Sequence, residues 1–267
     1  LSIYAKSFSW AGFFLPKNIY QKCSTLYDFC RSLDNIADQE LDLDIKIKQF
    51  NEFKEKFFNK NTNDQIINRM QELIDGSQIS EKIVYDLFDG IEYDLKKEVK
   101  IDSKKELLIY SYRVAGTVGL MMAKIFNVKK ENSLKGAIDL GIAMQLTNIS
   151  RDVLEDNKKN RKYIDSNFES IKNTLLTAET FYKSSFLSIS DISITCRFSI
   201  LVARRVYRQI GNNILKKRNI EKYNKSGKIY VSNLGKFFQT ILSIFDFLIL
   251  LIMKTKGHDR EAEHQII

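Results

Sequence analysis

The feature that most constrains the fold of this chain is how rarely it can interrupt a helix. Its 267 residues contain one proline, Pro16, and only 11 glycines. Proline and glycine are the residues that most often end helices and build tight hairpin turns. The chain therefore has few positions where a helix could be broken or a hairpin formed. Long segments run without them between short polar joints. The sequence therefore predicts an all-α protein, and its length fits a single domain over residues 1–267 with a well-buried core.

Several segments carry start signals for helices. Pro16 suits the first turn of a helix that runs on through residue 38. Ser80 is a plausible helix cap, and Ser103 is followed three residues later by Glu106, as in a capping box. Further helices are predicted over residues 41–59, 132–156, 169–185 and 192–215.

The charge balance indicates an anionic partner without specifying which one. The chain has 42 basic and 33 acidic residues, a net charge of +9. Its lysines are scattered, and neither zinc-finger spacing nor an aromatic RNA-binding motif occurs, so we expect no nucleic-acid partner. A diphosphate or an anionic membrane surface would use the same positive charge.

Cysteine and histidine chemistry is expected to play little part. Cys23, Cys30 and Cys196 form no CxxC motif and make an unlikely disulfide framework, which suits a reducing cytoplasm. His258 and His264 both fall in the polar C-terminal tail. We therefore expect no histidine-based triad and no histidine-rich metal site in the body of the protein.

Two polar stripes lie on otherwise apolar predicted helices. The members of the first stripe are Tyr27, Arg31, Asp34 and Asp38, and those of the second are Gln145, Asn148, Asp152 and Asp156. At 100° per residue the first set spans about 60° of the helix, and the second set also falls on one face. Carboxylates one turn apart destabilise a helix by about 0.2–0.5 kcal/mol per pair. A solvated surface explains one such pair, but two matching stripes favour helices that face each other across a cavity.

Four carboxylates in one cavity would repel each other unless cations bridged them. Oxygen ligands favour Mg2+, or Mn2+ in its place, and Mg2+ also binds phosphate oxygens. Arg31 and Arg151 lie beside the acidic positions and suit an anion that the metals leave uncovered. The residues alone thus predict a Mg2+-dependent diphosphate site inside a helical bundle.

The apolar segment 237–253 has two interpretations. It is 17 residues long with Asp246 inside it, short of the roughly 20 residues that cross a bilayer. A helix packed in the core is the favoured interpretation. The alternative is a helix at a membrane surface, flanked by Lys254 and Lys256.

Five blocks of the sequence resemble the squalene/phytoene synthase family. They are KSFSW at 6–10, LPKNIYQKCSTLYDFCRSLDNIAD at 15–38, YRVAGTVGLM at 112–121, QLTNISRDVLED at 145–156 and VARRVYRQIG at 202–211. Aspartate motifs alone are typical of isoprenoid synthases broadly, whereas YxVAGTVG together with NxxRDxxED is far more specific. The resemblance implies an all-α isoprenoid-synthase bundle with a central cavity, in which two prenyl diphosphates condense head to head.

The same resemblance implies roles for individual residues. The expected metal-binding residues are Asp34, Asp38, Asn148, Asp152 and Asp156. The expected diphosphate-binding residues are Tyr4, Ala5, Lys6, Ser7, Tyr27, Arg31, Gln145, Arg151 and Tyr207. The expected cavity wall comprises Tyr110 and the turn from Val114 to Gly119, where glycine lets backbone and substrate approach closely. Asp34, Asp38, Asp152, Asp156 and Tyr110 are the expected catalytic set.

Within the family, the expected reaction joins two geranylgeranyl diphosphates to phytoene through prephytoene diphosphate. The alternative is a synthase that uses farnesyl diphosphate and makes presqualene diphosphate, dehydrosqualene or squalene. Only full squalene synthesis needs NADPH, which we do not expect here. Non-catalytic assembly factors with this fold are a minor alternative, because they are expected to have lost motif carboxylates that are intact here. The expected location is the cytoplasm or the inner face of a membrane.

Overall fold

The computed structural model describes residues 9–60, 63–253, 258 and 262–266, and it is almost entirely helical. In chain order the α-helices are α1 (Lys17–Asp38), α2 (Leu43–Asn59), α3 (Gln65–Ser77), α4 (Glu81–Tyr93), α5 (Lys104–Ser111), α6 (Thr117–Ile125), α7 (Glu131–Lys158), α8 (Phe168–Ser188), α9 (Ile194–Leu215), α10 (Ile220–Lys225) and α11 (Asn233–Ile252). Short 3-10 helices cover Ile189–Asp191 and Ala262–Ile266. The predicted all-α fold is confirmed.

Local side-chain hydrogen bonds fix where several helices begin. The Ser103 hydroxyl accepts a hydrogen bond from the Glu106 backbone N–H at 3.2 Å. The Glu106 carboxylate accepts one from the Asp102 N–H at 3.0 Å, so the capping box reaches one residue further back than predicted. Ser80 caps α4 as predicted, accepting from the backbone N–H of Lys82.

The segment predicted as one helix after Ser103 contains a π-helical turn, Tyr112–Gly116, between α5 and α6. Such turns insert an extra residue into a helix and often occur at functional sites. Here the turn changes the direction in which the following residues face. It packs against both α4 and α7.

Helix α7 is the centre of the bundle and packs against α6, α8 and α9. It crosses α6 and the π-helical turn before α6 at very short range through two glycines, Gly119 on α6 and Gly141 on α7. A Cβ at Gly119 would lie 2.2 Å from the Ala137 carbonyl oxygen, and one at Gly141 would lie 2.2 Å from the Ala115 carbonyl oxygen. The predicted close approach is therefore made by the backbone of a neighbouring helix. Gly119 also lines the central cavity, so the expectation that it lets substrate approach closely stays a prediction.

The apolar core of the described residues consists of three clusters. The first cluster is rich in phenylalanine, with the rings of Phe29, Phe57 and Phe88 in mutual contact between α1, α2 and α4. A second cluster lies around the middle of α7, and a third lies where α9 meets α10. Burial of these side chains fixes the helices that carry the polar stripes.

A two-residue parallel bridge closes one end of the bundle. Strand β1 (Val99–Lys100) pairs with strand β2 (Arg161–Lys162), and Val99 lies opposite Arg161. The bridge anchors the segment that follows α7. Arg161 is thereby fixed beside the end of α1.

The two histidines lie against the body of the protein, contrary to the expectation of a polar tail. His258 Nε2 lies 2.6 Å from Asp139 Oδ2, and His264 Nε2 lies 3.4 Å from the same oxygen. Both imidazoles are almost fully buried. Asp139, in the first third of α7, thus holds His258 and His264 against the bundle.

Helix α11 does not have the core-packed arrangement that the sequence favoured. The structure extends it to 20 residues, long and apolar enough to cross a membrane by length and composition. Its buried side chains are Lys236, Ser243, Asp246 and Leu250. The bulk of its apolar side chains is exposed.

Candidate active site

The two predicted stripes meet at one end of the bundle through Arg161. Its Nη1 lies 2.7 Å from Asp38 Oδ1 at the end of α1, and its Nη2 donates to the Ala37 carbonyl at 3.1 Å. Lys159 Nζ lies 3.1 Å from the other Asp38 oxygen. Since Lys159 and Arg161 directly follow α7, these contacts join the acidic end of α1 to the acidic end of α7.

The Asp34 carboxyl lies in an environment that opposes its charge. Burial raises the pKa of Asp34 to about 7, and the neighbouring Asp38 and Asp94 carboxylates add to this effect. Arg31 and Arg161 act in the opposite direction without cancelling it. The repulsion predicted from the stripe is therefore present in the folded chain.

The Asp156 carboxyl on α7 has the same character. Burial raises its pKa to about 7, with Asp152 and Asp94 adding to the rise and with Arg161 and Lys159 opposing it. Asp94 and Arg161 thus act on carboxyls of both stripes. Asp34 and Asp156 consequently face one shared region.

Asp38 differs from these two carboxyls. Burial favours its neutral form, but the ion pairs with Arg161 and Lys159 outweigh burial and lower its pKa. Asp38 therefore carries a full negative charge at neutral pH. It already has cationic partners in the folded chain.

Asp152 lies one helical turn before Asp156 on α7, and its carboxylate is bound by two cationic side chains. Its oxygens lie 2.9 Å from Arg151 Nε and 2.6 Å from Arg151 Nη2, and Lys228 Nζ lies 3.3 Å away. The Tyr223 hydroxyl donates to the backbone carbonyl of Arg151 at 2.8 Å. The predicted position of Arg151 at the edge of the stripe is thus found, with its guanidinium turned onto the neighbouring carboxylate.

A third acidic position, Asp94, was missed by the sequence reasoning. The Tyr110 hydroxyl donates to Asp94 Oδ2 at 2.8 Å, and the Tyr163 hydroxyl donates to Asp94 Oδ1 at 2.6 Å. The two tyrosine rings stack with centroids 4.8 Å apart. Burial raises the pKa of Asp94, with Arg161 and the two tyrosines opposing the rise. Tyr110, expected in the cavity wall, instead belongs to this acidic end.

An apolar cavity of about 280 Å3 lies between α6, α7, α8 and α9. Four of the predicted substrate-binding residues, Val114, Gly119, Gln145 and Tyr207, line it. Gln145 and Asn148 belong to the α7 stripe, so the cavity is continuous with that stripe. From there it extends to Val128 at the turn between α6 and α7.

Tyr207 joins the remaining predicted residues to this end of the cavity. Burial raises its pKa; Arg151 opposes the rise, while Tyr27 and Asp152 add to it. Tyr27 of α1 and Arg151 of α7 therefore lie near Tyr207 of α9. Arg31 is half-buried on the same stripe as Tyr27. The predicted residues Tyr4, Ala5, Lys6 and Ser7 lie outside the described residues.

The polar stripes have features that fit a divalent cation bound jointly with phosphate. The side-chain oxygen of Asn148 is buried and has no hydrogen-bond partner among the residues that the structure describes, while its amide nitrogen donates to Gln145 at 3.5 Å. In the part of the chain that the structure describes, no group of three or more Asp, Glu, His or Cys side chains is arranged to enclose a metal ion. Mg2+ commonly takes only one or two carboxylates from a protein and completes its shell with phosphate and water. The donor set fits that mode of binding.

Comparison with known proteins decides the family. The family model for squalene/phytoene synthases matches residues 2–167. The chain belongs to the squalene/phytoene synthase family. This is a family of prenyltransferase-type enzymes of isoprenoid biosynthesis, and both acidic stripes lie within the matched region.

Individual relatives point to two kinds of synthase. The chain is 38% identical over 127 residues to a 15-cis-phytoene synthase of Paracoccus sp., an alignment that covers 41% of this chain and 42% of that protein. It is 25% identical over 250 residues to the 15-cis-phytoene synthase of Pantoea ananas, covering 79% of each. A solved dehydrosqualene synthase in complex with a ligand superimposes with a TM-score of 0.72 at 26% identity, covering 90% of this chain and 91% of that one. The chain therefore spans about two fifths of the Paracoccus relative and most of the other two.

Proposed function

We propose that this protein condenses two prenyl diphosphates head to head, and that its substrate is geranylgeranyl diphosphate and its product phytoene. The observation that carries the proposal is the continuity of the apolar cavity with the α7 stripe at Gln145 and Asn148. A prenyl diphosphate has the same division, a charged head on a long apolar chain. The relatives named phytoene synthase favour the twenty-carbon substrate.

Cationic side chains beside the stripes would bind the diphosphate head. Arg31, Arg151 and Arg161 all lie at this end of the bundle, and guanidinium groups suit phosphate oxygens. Two of them bind carboxylates in the metal-free chain. Substrate binding therefore requires those ion pairs to open or to be shared with the phosphate oxygens.

Asp34, Asp38, Asn148, Asp152 and Asp156 would hold Mg2+, or Mn2+ in its place. When bound, the cation neutralises negative charge that develops on the departing diphosphate. The carboxyls of Asp34 and Asp156, with pKa values of about 7, must lose their protons to act as ligands. The buried Asn148 oxygen would gain the partner that it lacks.

The apolar lining protects the reactive carbon chain. Departure of diphosphate leaves an allylic cation, which the double bond of the second chain attacks. Loss of one proton, for which the released diphosphate is an available base, closes the three-membered ring and gives a cyclopropylcarbinyl diphosphate. A second ionisation and rearrangement joins the chains, and loss of a proton gives a conjugated triene. Water would quench either cation to an alcohol, so side chains such as Val118, Met122 and Leu140 exclude it.

The farnesyl-based reaction is the second candidate, because the solved dehydrosqualene synthase matches nearly the whole chain. The geranylgeranyl-based and farnesyl-based reactions are distinguished by incubating the purified protein with Mg2+ and one of the two diphosphates, with and without NADPH. The hydrocarbon product is then identified. We expect phytoene without NADPH. Dehydrosqualene or squalene as the sole product would establish the alternative, and no product from any combination would refute the enzymatic proposal.

A further inference from the structure

Helix α11 exposes an apolar side and buries a largely polar one, the reverse of a typical helix on the surface of a water-soluble domain. Its exposed apolar side chains are Leu234, Phe237, Phe238, Ile241, Ile244, Phe245, Leu248, Ile249, Leu251 and Ile252, each at least 40% exposed. We call this set the outer apolar face. At 100° per residue it spans an arc of about 160° around the helix. Apolar faces of that width on amphipathic helices are normally turned to the core.

The opposite side of α11 is polar and makes hydrogen bonds to the rest of the protein. Asp246 accepts two hydrogen bonds from Arg205 on α9, at 2.5 and 2.6 Å. Gln239 donates to Gln209 at 3.2 Å, and Trp10 donates to the Thr240 hydroxyl at 3.0 Å. The polar side chains of α11 therefore hold the helix against α9 and leave its apolar side outward.

From these observations we infer that α11 lies in the plane of an anionic lipid bilayer, with the outer apolar face inserted among the acyl chains. An extended exposed apolar surface marks an interaction site, and this one is a single 20-residue helix with exposed apolar side chains from Leu234 to Ile252. A dimeric coiled coil would need only the narrower seam of two positions in seven.

Charge around α11 indicates that the lipid is anionic. The segment that leads into the helix contains exposed Lys216, Arg218, Lys222 and Lys225. In the sequence, Lys254 and Lys256 follow the other end. Basic residues that flank both ends of an in-plane helix meet lipid headgroups together, and they favour a negatively charged leaflet.

The ion pair between Asp246 and Arg205 argues for an in-plane helix over a crossing one. If α11 crossed the bilayer, Asp246 would separate from Arg205 and enter the hydrocarbon region, where ionised side chains are strongly disfavoured. In the plane, the helix keeps this pair and still buries its apolar side. This inference concerns attachment only and does not depend on the proposed chemistry.

The test is binding of the full chain to preformed vesicles, either phosphatidylglycerol–phosphatidylcholine mixtures or phosphatidylcholine alone. We expect binding to the anionic vesicles that weakens with added salt, and a loss of about tenfold or more in the partition coefficient for Phe237→Ser/Phe245→Ser. The control Ile45→Ser/Leu176→Ser changes two similarly exposed apolar residues on α2 and α8 and should bind like the parent. The proposal is overturned if the parent ignores anionic vesicles or if the Phe237/Phe245 variant binds them equally well.

Two further measurements distinguish the in-plane helix from a helix that crosses the bilayer and from a face that binds a second copy of the chain. The single variants Phe238→Trp and Ile252→Trp, near opposite ends of α11 and each made in a Trp10→Phe background so that the new indole is the sole tryptophan, should both be quenched by bromines about 5–10 Å below the headgroups. If Phe245→Trp in the same background is quenched only by deep bromines while the two end variants are not, the helix crosses the bilayer and the in-plane arrangement is wrong. Sedimentation that shows a lipid-free dimer, which Phe237→Ser/Phe245→Ser dissociates, would assign the face to a second copy.

Discussion

Arg161 Nη1 lies 2.7 Å from Asp38 Oδ1, in an ion pair that joins the segment after the central helix to the end of the first one. The same guanidinium lowers the pKa of Asp38 and opposes the raised pKa of Asp34 and Asp156. A single cation therefore acts on both acidic stripes. It links the end of α1 to the end of α7.

Replacing Arg161 should disable the site and leave the fold intact. For Arg161→Ala we expect kcat/KM for prenyl diphosphate to fall by about 100-fold or more, since a charged hydrogen-bond donor to both Asp38 and the substrate is lost. Arg69→Ala removes an exposed arginine on α3 and serves as the control. Steady-state kinetics measures the loss of activity, and a circular dichroism spectrum shows whether the fold is intact. Unchanged kinetics in Arg161→Ala would contradict the assignment of Arg161 to the site.

The raised pKa values predict a stability penalty in the metal-free chain. Asp34 and Asp156 bind protons more tightly when folded than when unfolded, so the penalty is absent below the unfolded pKa of 3.8 and complete above about 7. We therefore expect Asp34→Asn or Asp156→Asn to stabilise the metal-free protein by about 1 kcal/mol or more at pH 8 and far less at pH 4.

Thermal unfolding at the two pH values, in the presence of a chelator, measures this penalty. Asp28→Asn, an exposed change on α1, is the matched control and should leave the melting temperature unaltered at both. Equal effects of Asp34→Asn at pH 4 and pH 8 would show that charge is not the cause.

The close crossing of α6 and α7 predicts a sharp difference between glycines. Gly119→Ala and Gly141→Ala each place a methyl group 2.2 Å from a carbonyl oxygen of the facing backbone, so the two segments must separate. That oxygen belongs to Ala137 on α7 for Gly119, and to Ala115 in the π-helical turn before α6 for Gly141. We expect losses of about 1–3 kcal/mol in the free energy of unfolding. Gly76→Ala meets nothing within 4 Å and should be neutral or slightly stabilising. Urea titration measures the free energy of unfolding of the three variants. Equal values for all three would contradict the predicted difference between the glycines.

The far end of the cavity should set the length of the prenyl chain. Val128 lies at the turn between α6 and α7, and Asn148 lies 17 residues, about 26 Å, beyond the first residue of α7, Glu131. Val128→Phe should reduce turnover of geranylgeranyl diphosphate about tenfold while sparing farnesyl diphosphate, which reaches less far into the cavity. The ratio of the two kcat/KM values is the measurement. An equal loss for both substrates would place the selecting residues elsewhere.

Regular spacing explains which parts of the site could be predicted from the sequence. Asp34 and Asp38, like Asp152 and Asp156, stand one helical turn apart, and that periodicity identified both stripes and their helices. Asp94 directly follows the last residue of α4 and belongs to neither stripe, and contacts with residues distant in the chain define its role. A single sequence carries no local signal for those contacts.

The C-terminal helix shows a different limit of the sequence pattern. An apolar run favours burial, but Lys236, Ser243 and Asp246 share one face, and that face is the buried one. The decisive partner of Asp246 is Arg205, on another helix. The periodicity of α11 was therefore visible in the sequence, while the side that meets the protein was not.

The central claim is that the two stripes act as one metal–diphosphate site, and it is tested most directly by hydrocarbon formation in stripe variants. With saturating Mg2+ and geranylgeranyl diphosphate, Asp34→Ala on α1 and Asp152→Ala on α7 should each lower the rate by several orders of magnitude, and a chelator should abolish it. Asp28→Ala should retain the parent rate. Full activity in either stripe variant, or in the presence of the chelator, would contradict the claim.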